Sequence, residues 1–193
     1  RVMLLCIAGV LSTEFPAQVR SLLREQPFND GQATAGWAAR LVKNNRQLDR
    51  AASHYDRRQG LVATALTANE VFALAAMPKT MRPLLFAHYE VGMSYGDHVD
   101  NAIMGDDTAR MRSDVSFTVF LSDPEEYSGG ELIIDDTSGS QSFKLAAGSV
   151  VLYPSTAVHR VETITSGERL VAVGWVQSLI RRADQRDILF DLE

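Results

Sequence analysis

Residues 141–153 read QSFKLAAGSVVLY, two strand-like segments separated by the turn sequence Ala146–Gly148. This alternation of a short strand pattern and a turn cluster recurs from residue 84 to residue 176. Seven short strands in about ninety residues are typical of a sandwich or jelly roll with helices packed outside it. The expected strands are Leu84–Val91, Ser116–Leu121, Glu131–Ile134, Gln141–Leu145, Ser149–Tyr153, His159–Thr163 and Arg169–Val176.

The flanking segments predict one further strand and several helices. Met3–Ala8 is strand-like, and residue types at helical spacing predict the helices listed at the end of this paragraph. We therefore expect one α+β, mainly β domain over residues 1–193: helical N-terminal support (1–83), a cupin-like double-stranded β-helix or jelly-roll core (84–178) and a C-terminal helix (179–193). The expected helices run from Ser12 or Thr13 to about Glu25, over Gln47–Leu66 with Gly60 as a candidate interruption, over Glu70–Met77 after an Asn69 cap, and over Ala183–Leu192.

Composition narrows the class of protein. The net charge of −5 disfavours binding to a phosphate backbone, which depends on Lys and Arg. Cys6 is the single cysteine, so no intrachain disulfide forms, and the apolar run Val2–Val10 is too short to span a bilayer. We expect a cytoplasmic protein without a membrane partner, and homo-oligomerisation stays open.

His98-Val99-Asp100, followed far downstream by His159, has the residue types of a metal site. The spacing places His98 and Asp100 on one side of an extended segment. Two imidazole nitrogens and one carboxylate oxygen form the facial triad that holds ferrous iron and leaves positions open for oxygen and a co-substrate. Arg169 lies further along the chain than His159 and begins the next expected strand. A guanidinium in a pocket can bind a carboxylate of a dicarboxylate through two parallel hydrogen bonds.

Other residues compete for these roles. His54 lies in a helical stretch, and His88 should point to the opposite strand face from Tyr89, so neither is expected to bind metal. Arg160 adjoins His159 and should face away from it. The acidic pairs Asp106-Asp107 and Glu125-Glu126 are interpreted as solvated loop charges.

The ordered motifs resemble the prolyl-4-hydroxylase-like iron(II)/2-oxoglutarate dioxygenases, and most of all the bacterial PKHD-type hydroxylases. The resemblance covers essentially the whole chain, although family members continue past the segment that matches the C-terminal helix. The matching segments are Lys43-Asn44-Asn45, Tyr89…Tyr95…His98-Val99-Asp100, Arg112–Leu121 with Ser122-Asp123-Pro124, Tyr127–Leu132, Gly148–Ser155, His159, Gly167-Glu168-Arg169 and Trp175.

The resemblance implies a function and its site residues. His98, Asp100 and His159 would bind Fe(2+), Arg169 would bind the far carboxylate of 2-oxoglutarate, and Tyr89 would hydrogen-bond this co-substrate. Ascorbate would keep the iron reduced. The enzyme would use O2 to hydroxylate a small-molecule or peptide substrate, and some relatives are associated with iron uptake.

Five residues with hydrogen-bond donors, one of which also has a flat apolar ring, are candidates for contact with the substrate. We expect them to bind a carbonyl-rich or carboxylate-bearing ligand. Three alternatives stay open: a nucleic-acid demethylase with the same metal triad, a non-catalytic metal-binding jelly-roll module, and a zinc hydrolase with the same ligand types. The candidate substrate residues are Lys43, Asn44, Asn45, Arg112 and Trp175.

Overall fold

The structure is a computed structural model that describes residues 3–23, 26–52, 55–105, 109–137 and 139–193. Four α-helices lie within these ranges, and three short 3-10 turns cover Gly31–Thr34, Ala39–Val42 and Pro124–Glu126. The helices are α1 (Phe15–Leu23), α2 (Tyr55–Ala68), α3 (Glu70–Ala76) and α4 (Ala183–Leu192).

Strands make up most of the rest of the described chain. In chain order they are β1 (Leu5–Ile7), β2 (Phe28–Asp30), β3 (Lys43–Asn44), β4 (Arg46–Leu48), β5 (Pro78–Met81), β6 (Leu85–Tyr89), β7 (Ser94–His98), β8 (Ile103–Met104), β9 (Met111–Arg112), β10 (Val115–Phe120), β11 (Tyr127–Gly129), β12 (Leu132–Asp136), β13 (Gly139–Phe143), β14 (Val150–Pro154), β15 (His159–Val161), β16 (Ile164–Gly167) and β17 (Arg169–Ser178).

Two antiparallel sheets form the jelly roll that the strand pattern predicts. The large sheet has the order β1-β14-β10-β17-β6-β4-β2, and β5 pairs with the far end of β17. The small sheet has the order β13-β12-β15-β7-β3. Two further pairs, β11–β16 and β8–β9, complete the described strands.

The central strands of the large sheet are buried on both faces. All six residues of β10 are buried, and successive side chains point to opposite sides. Phe117 and Val119 belong to the core beneath the helices, together with Phe72 of α3. Phe120 belongs to a second core, where it packs with Ile134 of the small sheet. This double coverage fits the sequence of β10, in which the polar residues Ser116 and Thr118 are small, uncharged and themselves buried.

All seven strands expected from residue 84 onward form, with ends shifted by at most two residues, and the C-terminal helix has the predicted bounds. The helix expected over Glu70–Met77 is also present. Asn69 caps it by accepting a hydrogen bond from the Phe72 amide, and Met77 ends it with φ of 43°. The helix expected after Ser12 begins at Phe15, and its expected end at Glu25 lies outside the described residues.

The N-terminal segment contains more strand than its sequence predicts. Strands β1 to β5 all lie before residue 84, and the expectation of a helix from Gln47 is wrong. Gln47 pairs with Ala87 of β6 and Leu48 with Phe28 of β2. A turn follows, in which the Asp49 carboxylate accepts a hydrogen bond from the Ala51 amide at 2.8 Å, so the helix starts only at Tyr55. Gly60 lies inside this helix without interrupting it.

The helices cover one face of the large sheet. Helix α2 buries Tyr55, Arg58, Val62 and Leu66, which lie three or four residues apart on one side of the helix. The Phe72 ring meets the Phe117 ring edge-on, with 5.3 Å between their centroids. Within the described residues, no helix is long and apolar enough to cross a membrane.

We expect Phe72→Ala to lower the free energy of unfolding by about 3–5 kcal/mol, because it removes a fully buried ring and leaves a cavity. Denaturant unfolding measures this change. Val71→Ala, at the neighbouring and 41% exposed position of the same helix, should change it by no more than about 0.5 kcal/mol. Equal losses in both variants would contradict the proposed packing of α3.

Candidate functional site

Strand pairing brings the two histidines together. β7 and β15 are antiparallel neighbours, and their register places His98 opposite His159 with 4.2 Å between ring centroids. Asp100 follows β7, and its Oδ2 lies 3.9 Å from Nε2 of His159. One ligand atom from each of the three residues lies within 4.8 Å of the others, so a single divalent ion could contact all three.

Backbone carbonyls set the tautomer of both rings. Nδ1 of His98 lies 2.8 Å from the Gly96 carbonyl oxygen, and Nδ1 of His159 lies 3.0 Å from that of Ala157. Because a carbonyl only accepts, each Nδ1–H donates and each Nε2 keeps a lone pair for a metal. Burial, reinforced by the neighbouring His159, lowers the pKa of His98 to about 4, so this ring is neutral at pH 7.

The carboxylate of Asp100 is held from the large sheet. The Ser116 hydroxyl on β10 donates a hydrogen bond of 2.6 Å to Oδ2, and Ser116 Oγ lies 2.8 Å from Ser155 Oγ. The Asp100 amide donates to the Ser155 carbonyl at 3.3 Å. These contacts fix a residue that lies in a loop just beyond the end of its strand.

Arg169 is buried in the same cavity with unused donors. Its side chain is 1% exposed, and its Cζ lies 5.1 Å from the ring centroid of Tyr89 and 5.6 Å from that of Phe120. Among the described residues, neither Nε nor Nη1 has a hydrogen-bond partner. A buried guanidinium is costly unless an anion pairs with it, so this position fits a ligand carboxylate.

Two neighbours shape the surroundings of Arg169. Tyr89 is its partner across β6 and β17, and burial raises the pKa of this phenol while Arg169 and Asn45 oppose the rise. Tyr89 is therefore a hydrogen-bond donor at neutral pH. Gly130 adopts φ of +70°, and a Cβ there would lie 2.3 Å from Ile164 and 3.2 Å from the Arg169 side chain. Glycine thus leaves the room that the arginine occupies.

The two sheets enclose a cavity of about 250 Å³. Three of the residues expected to contact substrate line it, and the indole Nε1 of Trp175 is buried without a partner among the described residues. The chemically relevant lining residues are Lys43, Asn45, Tyr89, Tyr95, His98, Asp100, Thr118, Tyr153, His159, Arg169 and Trp175.

The expectations for Asn44 and Arg112 need correction, because neither residue lines this cavity. Asn44 alternates with its buried neighbours and is exposed, and its amide donates to the Gly92 carbonyl at 3.3 Å. Arg112 forms a bidentate pair with Asp114, with Nε–Oδ1 and Nη2–Oδ2 distances of 2.6 and 2.7 Å. Its guanidinium is therefore engaged within the protein.

The rival candidates lie away from the histidine pair. His88 Nε2 is 3.2 Å from the Glu168 carboxylate, and Arg160 donates to Glu162 at 2.7 Å. Glu126 pairs with Arg20 in an exposed contact. His54 and the pair Asp106-Asp107 lie outside the described residues.

Two tyrosines beside the histidines have a larger part in the site than the sequence suggests. Tyr95 stacks on His98 with 3.6 Å between centroids and 15° between planes, and Tyr153 lies 4.9 Å from the His159 ring. Thr118 hydrogen-bonds the Tyr153 phenol. The position of Tyr95 three residues before His98 is a sequence signal for its role. Tyr153 has no such signal apart from its place in a predicted strand.

This chain is similar to known proteins in sequence and in fold. The sequence model of the 2OG-Fe(II) oxygenase superfamily matches residues 84–177. A PKHD-type hydroxylase from Acaryochloris marina is 53% identical over 192 residues, which cover 99% of this chain and 85% of the relative. Among solved structures, a prolyl-4-hydroxylase from Pseudomonas putida has a TM-score of 0.63 at 20% identity, covering 92% of this chain and 93% of its own. HygX from Streptomyces hygroscopicus, solved with nickel, 2-oxoglutarate and hygromycin B bound, also has a TM-score of 0.63 at 15% identity, covering 93% and 84%.

We expect Ser116→Ala to weaken divalent-metal affinity about 10- to 100-fold, because Asp100 loses the hydroxyl that orients it. Titration of the metal-free protein with Fe(II) under anaerobic conditions measures this affinity. Ser113→Ala is the matched control, since Ser113 is also buried but donates to the Asn101 carbonyl. An unchanged affinity in Ser116→Ala would show that Asp100 does not depend on this bond.

Proposed function

Because the chain belongs to the PKHD-type hydroxylases of the 2OG-Fe(II) oxygenase superfamily, it is a 2-oxoglutarate-dependent dioxygenase, and we propose which residues hold its iron and co-substrate and what it hydroxylates. The observation that carries the proposal is the buried Arg169, whose unused donors share one cavity with His98, Asp100 and His159. A metal-binding module without a dicarboxylate ligand would have no use for this arginine.

We assign His98, Asp100 and His159 as the iron ligands. The two Nε2 lone pairs and one carboxylate oxygen supply three contacts and leave other positions open. When bound, iron and 2-oxoglutarate would supply, with O2, the chemistry that converts a substrate C–H into C–OH and 2-oxoglutarate into succinate and CO2, with ascorbate as the proposed reductant. The protein orients the ligands through the Gly96 and Ala157 carbonyls.

Arg169 and Tyr89 would bind the far carboxylate of 2-oxoglutarate. The guanidinium offers Nε and Nη1, and the Tyr89 phenol offers one further donor. Phe120 covers the guanidinium and keeps water from it, which strengthens the ion pair. The co-substrate would thus be held between the small sheet, which carries the histidines, and the large sheet, which carries Arg169.

The proposed substrate is a small molecule or a peptide. Lys43, Asn45 and Trp175 line the cavity, and its volume of about 250 Å³ favours a small group over a nucleic-acid duplex. The similar structures include a prolyl-4-hydroxylase and a protein solved with hygromycin B bound, so proteins of this fold include both a prolyl hydroxylase and a protein that binds a small molecule. We further propose a cytoplasmic enzyme with a link to iron uptake, which rests on the family resemblance.

A substrate screen tests this proposal directly. Peptides, free amino acids and siderophore fragments are supplied with Fe(II), 2-oxoglutarate, O2 and ascorbate, and succinate is measured together with a mass increase of 16 Da in the substrate. Salt-sensitive, submicromolar binding to nucleic acid would favour the demethylase alternative instead.

His159→Ala should abolish succinate formation and weaken iron binding, because one of three ligands is lost while the fold remains. Iron stoichiometry and succinate production measure both effects. His88→Ala removes a histidine that lies against Glu168 outside the cavity, and it should retain iron and activity. If His159→Ala keeps both iron and turnover, the ligand assignment is wrong.

Arg169→Lys should raise the apparent KM for 2-oxoglutarate, since it keeps the charge but loses the fork geometry, and Arg169→Ala should raise it further. Uncoupled succinate production against 2-oxoglutarate concentration measures the change. Arg160→Ala is the control, because Arg160 is bound to Glu162. A normal curve for Arg169→Ala would place the co-substrate elsewhere.

A further inference from the structure

Lys43 is a buried cation in the wall of the cavity, and it forms no ion pair with any residue that the structure describes. Its side chain is 6% exposed, and its Nζ donates to Thr34 Oγ1 at 3.1 Å and lies 5.1 Å from the Tyr95 ring centroid. Among the described residues, no carboxylate lies within 4.0 Å of this ammonium group. Buried lysines are rare unless paired, because an ammonium ion loses its hydration there.

The charged residues that line the cavity do not balance the positive charge of Lys43. Among the described lining residues, Lys43, Arg50, Arg82 and Arg169 are cationic, whereas Asp100 alone is anionic. This excess of three positive charges contrasts with the net charge of −5 of the whole chain. Asp100 belongs to the candidate metal cluster, so a bound divalent ion would take up its charge.

Lys43 is nevertheless charged at neutral pH. Burial lowers the pKa of Lys43 to about 8, while Asp100 and Asp30 oppose the shift. The ammonium form therefore predominates at pH 7. Asp30 is exposed, and its carboxylate already accepts the Gln32 amide at 2.9 Å. Within the described part of the chain, Asp100 is the one carboxylate that lines the cavity, so we look to a ligand for a close counter-charge.

The position of Lys43 separates it from the co-substrate end. Lys43 pairs with Tyr95 across β3 and β7, and Tyr95 stacks on His98. Arg169 instead lies on the large sheet, opposite Tyr89. One cation thus adjoins the metal cluster from the small sheet, and the other approaches from the facing sheet. A dicarboxylate held by Arg169 and the metal leaves Lys43 free for a different anion.

We propose that Lys43 is a second anion site, which binds a carboxylate of the primary substrate and so makes the substrate a small organic acid or the free C-terminus of a peptide. This assignment rests on the proposed function, in which Arg169 holds 2-oxoglutarate. The cavity must also contain the co-substrate within about 250 Å³, which favours a compact carboxylate over a bulky phosphate ester.

Matched pairs of N-acetylated amino acids and their C-terminal amides test the proposal, because the members of a pair differ only at the carboxylate. Binding to protein loaded with Ni(II) and 2-oxoglutarate is followed by ligand-observed NMR and calorimetry. We expect the acids to bind the wild-type protein about tenfold more tightly than the amides, a ratio that corresponds to about 1.4 kcal/mol. Lys43→Gln should abolish the difference, and Lys43→Arg should keep part of it.

Thermal unfolding provides a second readout that does not depend on turnover. Lys43→Met should raise the Tm of the ligand-free protein, because an unpaired buried charge is replaced by an apolar chain of similar length. An acid that raises the Tm of the wild-type protein should no longer do so in Lys43→Met. Lys79→Met, at an exposed position of β5, should change neither property.

Three results would overturn the assignment: equal binding of acids and amides by the wild-type protein, an acid preference that survives in Lys43→Gln, or a loss of 2-oxoglutarate binding in Lys43→Gln as large as in Arg169→Ala. The last result would place Lys43 in the co-substrate site. Succinate formation by the wild-type protein without any probe tests the proposed function separately. If that activity is present and the acid preference is absent, only the role of Lys43 is wrong.

Discussion

The register between β7 and β15 is the constraint on which the site depends. It sets His98 opposite His159, and the chain then needs only two more residues to bring Asp100 beside them. A slip of one residue would turn His98 to the outer face of the small sheet, since side chains alternate along a strand. The same strand pairs on its other edge with β3, which brings Lys43 to the cavity. The metal cluster and the neighbouring cation thus share one strand as their support.

Much of the fold was readable because the large sheet is buried on both faces. Val150–Pro154 is buried over its whole length and almost wholly apolar, and Val115–Phe120 is equally buried and has only small hydroxyl residues between its apolar ones. Glycine-containing turns lie between these strands. β7 escaped prediction for the opposite reason. Its sequence Ser-Tyr-Gly-Asp-His has neither an apolar run nor β-branched residues, because its side chains are only partly buried and one of them, His98, is a proposed metal ligand. Strand β4 was mistaken for helix, since Leu48, Ala51 and Ala52 have helical spacing by coincidence.

Some residues of the candidate site could be identified from the sequence and others could not. The proposed iron ligands His98, Asp100 and His159 stand out in the sequence because a metal requires particular residue types at a particular spacing. The two arginines could not be separated by type alone. Arg112 is engaged by Asp114 two residues away on the same side of the chain, whereas Arg169 has Tyr89 and Phe120 around it. A carboxylate at i+2 along an extended segment is the signal that distinguishes them. Asn44 was misplaced because alternation puts it outside while Lys43 and Asn45 point inward.

The proposed histidine ligands and Arg169 lie on facing sheets, so the packing between the sheets sets the length of the diacid that would fit between them. His98 and His159 belong to the small sheet and Arg169 to the large one, so the distance from the proposed metal site to the guanidinium is set by how closely the two sheets pack. Ile134 and Val171 fill the space between them. On the proposed assignment, the enzyme would measure the carbon chain of its diacid with residues that never touch it. A change of volume in this layer would then shift the preference toward a shorter or longer keto diacid while every polar contact stayed in place.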